Sequence, residues 1–354
     1  MNNRVQLFEE SLALLTSLIR TPSFSREEGE TATIIAQFFT AKGIVPYRKA
    51  NNIWVYNKWY STDKPTILLN SHHDTVKPNT GYTRDPFSPD IVDGKLYGLG
   101  SNDAGGCLVS LIATFLHFYE DKDLKYNFCL AATAEEEISG KCGIESIVSD
   151  LGALDFAIVG EPTLMDLAIA EKGLMVLDCT AHGISGHAAR DEGENALYKA
   201  LADIEWFRSY QFERESNKLG PIKMSVTMIQ CGVQHNVVPA TCDYVVDVRT
   251  TDAYSNEETL EIIKLHVQSD VHARSTRLNS SSIPEDHPLV LSGVSVGKKT
   301  YGSPTMSDQA LLRIPSVKLG PGFSGRSHMA DEYIFLDEIR KGIDDYINIL
   351  EKIV

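Results

Sequence analysis

The chain has 354 residues, with 33 Lys+Arg against 48 Asp+Glu and a formal net charge of −15. No basic run supplies the clustered cations that phosphate or anionic lipid binding requires, which argues against nucleic-acid and membrane-surface partners. At 43% hydrophobic and 23% charged residues the composition is that of a folded globular protein rather than a disordered one, and the length suggests two domains.

The N-terminal stretch MNNRVQLFEESLALL lacks the basic start, apolar centre and cleavage site of a signal peptide, so the expectation is a cytoplasmic protein. Ser11 to Ile19 and Glu30 to Ala41 read as amphipathic helices, the second closed by Gly43. Asn52 to Trp59, Thr66 to Asn70, Asn127 to Thr133 and Phe156 to Val159 read as short apolar strands of a sheet covered on both faces. Between them, Cys107 to Phe118 is the longest apolar stretch; interrupted by Ser110, Thr114 and His117 and short of the ~20 residues of a membrane span, it predicts a buried helix. From Gly173 the order becomes strand (Leu174 to His182), helix (Asn195 to Tyr210), two strands (Lys223 to Gln230, Ala240 to Thr250), helix (Asn256 to Gln268) and strand (Val271 to Arg277). This βαββαβ order predicts a ferredoxin-like insert in an α/β domain with a mixed sheet: residues 173–282 as a lid or dimerisation domain, 1–172 with 283–354 as the catalytic domain. The segment from Leu289 onward reads as a Gly/Pro-rich loop and a terminal helix. The six cysteines fall singly, without a C-x-x-C pair, so neither a zinc ribbon nor a disulfide framework is expected.

Five clusters of His, Asp and Glu fall at strand ends or loops. In Ser71-His72-His73-Asp74, extended chain puts His72 and Asp74 on one side and His73 on the other, making His72 a metal ligand with Asp74 as the carboxylate orienting it. Gly98-Leu99-Gly100-Ser101-Asn102-Asp103 resembles a phosphate loop, but no Gly-Lys-Ser/Thr follows, and Asp103 reads better as a carboxylate bridging two metals. Glu135-Glu136-Glu137 follows a buried strand, where adjacent acids repel one another unless cations offset them. Glu137 is assigned to the metal, Glu136 to general acid/base work and Glu135 to a supporting place. Gly160-Glu161-Pro162-Thr163 offers Glu161 as a terminal ligand, and His328 in the distant segment Gly320 to His328 completes two His and three carboxylates. Two Zn²⁺ bring four positive charges against Asp103, Glu137, Glu161 and one hydroxide, leaving a buried centre near neutrality. Co²⁺ or Mn²⁺ are possible substitutes in so carboxylate-rich a site.

In this order, H-x-D, G-x-G-x-x-D, E-E, G-E-P-T and a late His resemble the di-zinc aminoacylase/carboxypeptidase metallopeptidase family, most of all its acetylornithine deacetylase and succinyl-diaminopimelate desuccinylase branches. The resemblance covers nearly the whole chain. It implies one zinc on His72 and Glu161, the other on Glu137 and His328, with Asp103 bridging both and Glu136 as general acid/base. Gly183-Ile184-Ser185-Gly186-His187 is similar to the family's lid motif, which implies that His187 stabilises the oxyanion in a partner subunit's site and that the protein is a homodimer. Lys172, Asn236 and Arg249 are implied as substrate-binding residues, Arg249 gripping a carboxylate bidentately. The chain departs from the family at Leu99, Ala104-Gly105 and Asp191, none of them a ligand. The loops at 98–100, 160–163, 320–322 and 328–333 tilt the expected substrate towards N-acetyl- or N-succinylornithine in arginine biosynthesis. A dipeptidase or carboxypeptidase, or a deacylase of succinyl-diaminopimelate or acyl-lysine, is the alternative.

Overall fold

The computed structural model describes residues 2–190 and 192–354, with side chains from Arg4 onward; Asp191 lies outside the described residues. The chain divides into two compact units, residues 1–169, 282–301 and 307–354 in the first, 170–281 and 302–306 in the second. The insert therefore begins three residues ahead of the expected boundary, and residues 302–306 return to it.

In chain order the first unit opens with helices α1 (Asn2–Ile19) and α2 (Gly29–Ala41) and strands β1 (Tyr47–Lys49), β2 (Asn52–Tyr56) and β3 (Thr66–His72). Helix α3 (Gly106–Phe118), β4 (Asn127–Thr133), β5 (Phe156–Val159) and β6 (Leu167–Glu171) follow. The second unit holds β7 (Met175–His182), β8 (Gly186–His187), α4 (Ala196–Ser209), β9 (Lys223–Cys231), β10 (Val237–Val238), β11 (Thr241–Arg249), α5 (Asn256–His266) and β12 (Asp270–Ala273). Helix α6 (Pro288–Ser295), β13 (Ser316–Lys318) and α7 (Leu336–Leu350) then complete the first. Helix α1 starts nine residues before the reading from Ser11, because Leu7 and Phe8 are buried in the core.

The main sheet runs β1-β2-β4-β3-β5-β13-β6, parallel across β4, β3, β5 and β13 and antiparallel towards its edges. Successive side chains of a strand leave opposite faces. Accordingly Ile67 and Leu69 of β3 enter one core with Leu108, Leu111 and Tyr346, whereas Leu68 enters another with Ile144, Ile147 and Leu151. Burial on both faces explains why these strands read as unbroken apolar runs. Helix α3 is buried along almost its entire length, as a helix apolar on all sides must be.

The second unit is an antiparallel sheet in the order β9-β11-β7-β12. Met175, Leu177, Cys179 and Ala181 of β7 are buried and alternate with less buried residues, the signature of a sheet covered on one face only. They pack with Ala200 and Phe207 of α4 and Ile263 of α5. A capping box between Ser255 and Glu258 fixes the start of α5.

Candidate active site

Parallel strands β3, β4 and β5 end side by side, and the chain leaving each delivers an acid or a histidine into the crevice beyond their carboxyl ends. β3 delivers His72, the turn after β4 delivers Glu136 and Glu137, and the loop after β5 delivers Glu161. Asp103 comes from the wide turn Ser101–Gly105 preceding α3, and His328 from the loop before α7. His72 Nε2 lies 3.4 Å from Asp103 Oδ1, 3.7 Å from Glu161 Oε1 and 4.0 Å from Glu136 Oε2. His328 Nε2 lies 2.9 Å from Glu137 Oε2 and 3.6 Å from Asp103 Oδ2. Asp103 thus turns one carboxylate oxygen to each histidine. The side chains of Asp103, Glu136, Glu137 and Glu161 are only 7–13% exposed.

So much buried negative charge perturbs the proton equilibria of Glu136, Glu161, His72 and His328. Burial, with the charges of Glu161, Asp308 and Glu137, raises the Glu136 carboxyl well above its ordinary range. Burial and the Asp103 charge push Glu161 up to about 8. Burial opposes a charged His72, yet contacts with Asp103 and Asp74 and the charges of Glu136 and Glu161 hold its imidazole well above the usual value. His328, in contact with Glu137, is pushed up to about 9.

The supporting residues explain how these groups are held. The Asp74 carboxylate accepts the Ser25 hydroxyl at 2.7 Å and the backbone N–H groups of Glu136 and Glu137 at 3.1 and 3.2 Å, fastening the acidic turn to the end of β3. The nearest acceptor for His72 Nδ1 is the Asp74 backbone carbonyl at 2.9 Å, with the carboxylate at 3.5 Å, so the main chain of Asp74 makes the shorter orienting contact expected of its carboxylate. His73 points away from the crevice, bonded to Thr31 Oγ1 and the Asn51 carbonyl, each at 2.9 Å; burial pushes it down to about 4, a neutral structural histidine. Glu135, at φ 56°, accepts the Cys142 N–H and donates its own N–H to Glu28, which makes it a brace for the turn. His328 also sits in the left-handed region, at φ 59°, where its carbonyl accepts from Asn79.

Two residues with a clear place here received no role from the sequence. Glu332 is 1% exposed, and its carboxylate accepts three backbone N–H groups of the loop that carries Asp103: Gly100 at 3.0 Å, Asn102 at 2.8 Å and Asp103 at 2.9 Å. Gly100 has φ 75°, and a Cβ there would lie 2.6 Å from Thr75 Cγ2, so the loop's tight approach needs glycine. Asp308, also buried, accepts the Thr133 hydroxyl at 2.8 Å beneath the acidic turn. Glu332 had a signal in its position four residues after His328; Asp308 had none.

The remaining expected residues lie in the second unit. His187 is exposed on β8, its Nδ1 accepting the Ala189 N–H at 3.1 Å. Asn236 precedes β10, and its carbonyl accepts the Ala188 N–H. Lys172 donates to the Pro221 carbonyl at 2.8 Å. Arg249, expected to face a substrate carboxylate, instead grips Asp247 with both arms at 2.9 and 3.1 Å, because the two side chains stand two residues apart on one face of β11.

The donor set fits divalent metal. Ligand atoms of His72, Asp103 and Glu137 lie within 4.8 Å of one another, and so do those of His72, Glu136 and Glu161. Glu136, assigned to proton transfer, is thus also within ligand distance. Four crowded carboxylates with two imidazoles are what a pair of hard or borderline cations requires, and cations would relieve the repulsion that raises Glu136 and Glu161. Bound there, such ions would polarise a carbonyl and lower the pKa of a water.

Comparison with known proteins agrees with this arrangement. Residues 68–352 match the model of peptidase family M20/M25/M40. A succinyl-diaminopimelate desuccinylase of Paracoccus denitrificans (strain Pd 1222) is 26% identical over 371 residues, covering 96% of this chain and 97% of that protein. Among solved structures, an aminopeptidase from Bacillus cereus ATCC 10987 superposes with a TM-score of 0.79 at 17% identity, covering 98% of each chain. A dinuclear metal-binding peptidase of the M20 family from Bacillus subtilis gives 0.73 at 16% identity, again over 98% of each. With a family match that spans most of its length and begins within the strand bearing His72, the chain belongs to peptidase family M20/M25/M40, a family of hydrolytic enzymes.

Proposed function

We propose that this protein is a zinc-dependent amidohydrolase that removes the acyl group from an N-acyl amino acid, with succinyl-diaminopimelate ahead of N-acylornithine as its substrate. The observation that carries the reaction class is Glu136: a buried carboxyl 4.0 Å from His72, among carboxylates and imidazoles suited to metal. The order of substrates is supported by the desuccinylase relative, aligned along nearly its entire length. This replaces the ornithine preference drawn from short loops, which none of the relatives described above supports.

His72, Asp103, Glu137, Glu161 and His328 would hold the metals, His72 together with Glu161 and Glu137 together with His328. Glu136 takes a proton as water attacks the amide carbonyl and delivers it to the departing amine. Asp74 keeps His72, Glu136 and Glu137 in register, and Glu332 fixes the Asp103 loop. His187 steadies the oxyanion in the site of a second subunit, making the enzyme a homodimer, while Lys172, Asn236 and Arg249 bind the substrate, Arg249 after release from Asp247. Among the described residues no helix is long and apolar enough to cross a membrane.

The test is kcat/KM of zinc-loaded protein on succinyl-diaminopimelate, acetylornithine, succinylornithine and several di- and tripeptides, repeated after chelation. A preference of tenfold or more for succinyl-diaminopimelate, abolished by the chelator, is the expected result. Peptides turning over fastest would replace this reading with a peptidase.

A further inference from the structure

The second unit contains a pairing that the hydrolytic site does not use. From Lys223 to Val226, β9 pairs with β11 so that Lys223 faces Arg249 and Val226 faces Val246. Continued unbroken, that register would set Cys231 opposite Thr241 and turn its side chain away from that of Cys242. The register instead shifts between Val226 and Met228: Thr227 is the extra residue, Met228 faces Val245 and Cys231 directly faces Cys242. Both cysteines consequently share the face covered by α4 and α5. Cys242 is buried there with Tyr244 and Val246, and the partly buried Cys231 packs at the margin. Cys231 donates to the carbonyl of Thr241, the residue next to Cys242, at 3.4 Å. Directly opposed residues of an antiparallel pair have Cα atoms about 4.5–5.5 Å apart, inside the roughly 4.4–6.8 Å that a disulfide spans.

We infer that Cys231 and Cys242 form a reversible intramolecular disulfide, with a small-molecule disulfide such as oxidised glutathione as oxidant. Cys231, the more accessible thiol, attacks one glutathione sulfur as thiolate; the mixed disulfide forms and one glutathione thiolate departs. Cys242 then gives up its proton, its sulfur attacks that of Cys231, and the second glutathione leaves as a thiol. Two protein thiols lose two electrons and two protons, and one oxidised glutathione becomes two reduced ones. Burial and the neighbouring Cys231 push the Cys242 thiol up to about 12, which suits it to the resolving step rather than the first attack. The new bond would close the root of the arm between β9 and β11. That arm carries Asn236 and β10, which pairs with β8 and sets Val237 opposite His187. Oxidation would thereby restrain the two-stranded element that presents His187. The inference is independent of which amide the enzyme cleaves.

The experiment uses the metal-loaded full chain, reduced, freed of reductant, equilibrated with excess oxidised glutathione without oxygen, acid-quenched, alkylated and digested. Peptides bearing Cys231 and Cys242 are expected to emerge as one linked species, with both of these thiols lost together and recovered on reduction. Cys142, exposed and outside any strand, serves as the internal control and carries at most a glutathione adduct. In Cys242→Ser the oxidation of Cys231 stops at the glutathione adduct, and in Cys231→Ser Cys242 stays alkylatable. Hydrogen exchange across residues 232–241 slows severalfold on oxidation of the wild type and not of Cys242→Ser. Wild-type protein that accumulates glutathionylated Cys231 without resolving it, keeps both thiols alkylatable, or links them only after unfolding would overturn the inference.

Discussion

Replacing Glu332 tests whether the Asp103 loop is held from behind. Glu332 touches neither histidine of the centre; its two oxygens accept three backbone N–H groups at 2.8–3.0 Å in a setting only 1% exposed. Burial and the Asp103 charge push the Glu332 carboxyl up to about 8; above that pH it is a charged acceptor, whose hydrogen bonds contribute roughly 1.5–3 kcal/mol each, and a buried donor left unmatched costs about 1–3 kcal/mol. Glu332→Gln keeps one oxygen, which can serve Asn102 and Asp103 while its amide nitrogen confronts the Gly100 N–H, so a loss of about 2–3 kcal/mol is expected. Glu332→Ala orphans all three donors; with water entering the cavity, the expected loss is about 3–5 kcal/mol. The same loosening should reach the metals, since outer-shell changes typically cost 10–100-fold in affinity, or about 1.4–2.7 kcal/mol. Denaturant unfolding of metal-free protein gives the first quantity, and competition with a chromophoric chelator gives the second. If Glu332→Ala unfolds at the wild-type midpoint and holds metal as tightly as wild type, the three bonds do not position Asp103.

Glu136→Gln should retain both metals by elemental analysis while kcat falls by about 10²–10⁴; near-normal turnover would remove Glu136 from proton transfer. In metal-free protein the His328–Glu137 contact stabilises below the unfolded value of 6.5 and is lost as pH rises through about 9, while the cost of ionising buried Glu161 grows between 4.5 and about 8. Wild type should therefore lose Tm relative to His328→Gln between pH 6.5 and 9, a trend that a constant difference across that window contradicts. The same protons must leave when metal binds, so metal affinity should rise with pH over this range, and calorimetry in buffers of different ionisation enthalpy should count their release. Gly98→Ala should destabilise by about 2–4 kcal/mol, since φ is 139° and the new Cβ would lie 2.3 Å from Ile19 Cγ2; an unchanged unfolding midpoint would show that α1 yields.

The candidate site was legible because each ligand sits just past an apolar strand or a glycine loop, where local pattern betrays it: Ser71-His72-His73-Asp74 after β3, the three glutamates after β4, Glu161 after β5. Period-2 alternation even separated His73 from its neighbours. Roles that depend on distant backbone were not legible. Glu332 acts on amides 229–232 residues earlier in the chain, and Asp308 on a hydroxyl 175 residues earlier. The fork of Arg249 was read for an external carboxylate, although Asp247, two positions before it, already offered one. In the fold, the apolar strands covered on both faces and the order of the second unit's helices and long strands followed from composition and periodicity. β1 and β13, three residues each, are too short to carry a period, and the latter was read as loop.

β13 also constrains how the molecule is made. It lies between β5 and β6, pairing Ser316 with Ala157 and Lys318 with both Val159 and Ala168. On the ribosome, the first 169 residues emerge with an apolar sheet that stays open at this seam until some 150 further residues have been synthesised. The second unit is contiguous except for residues 302–306 and can collapse while the earlier strands still wait. During that interval β5 exposes an unpaired hydrophobic edge, the feature that invites aggregation or chaperone capture. Released chains truncated near residue 300 should be protease-resistant within residues 170–281 and sensitive before them, whereas equal resistance in both would mean that the sheet closes without β13.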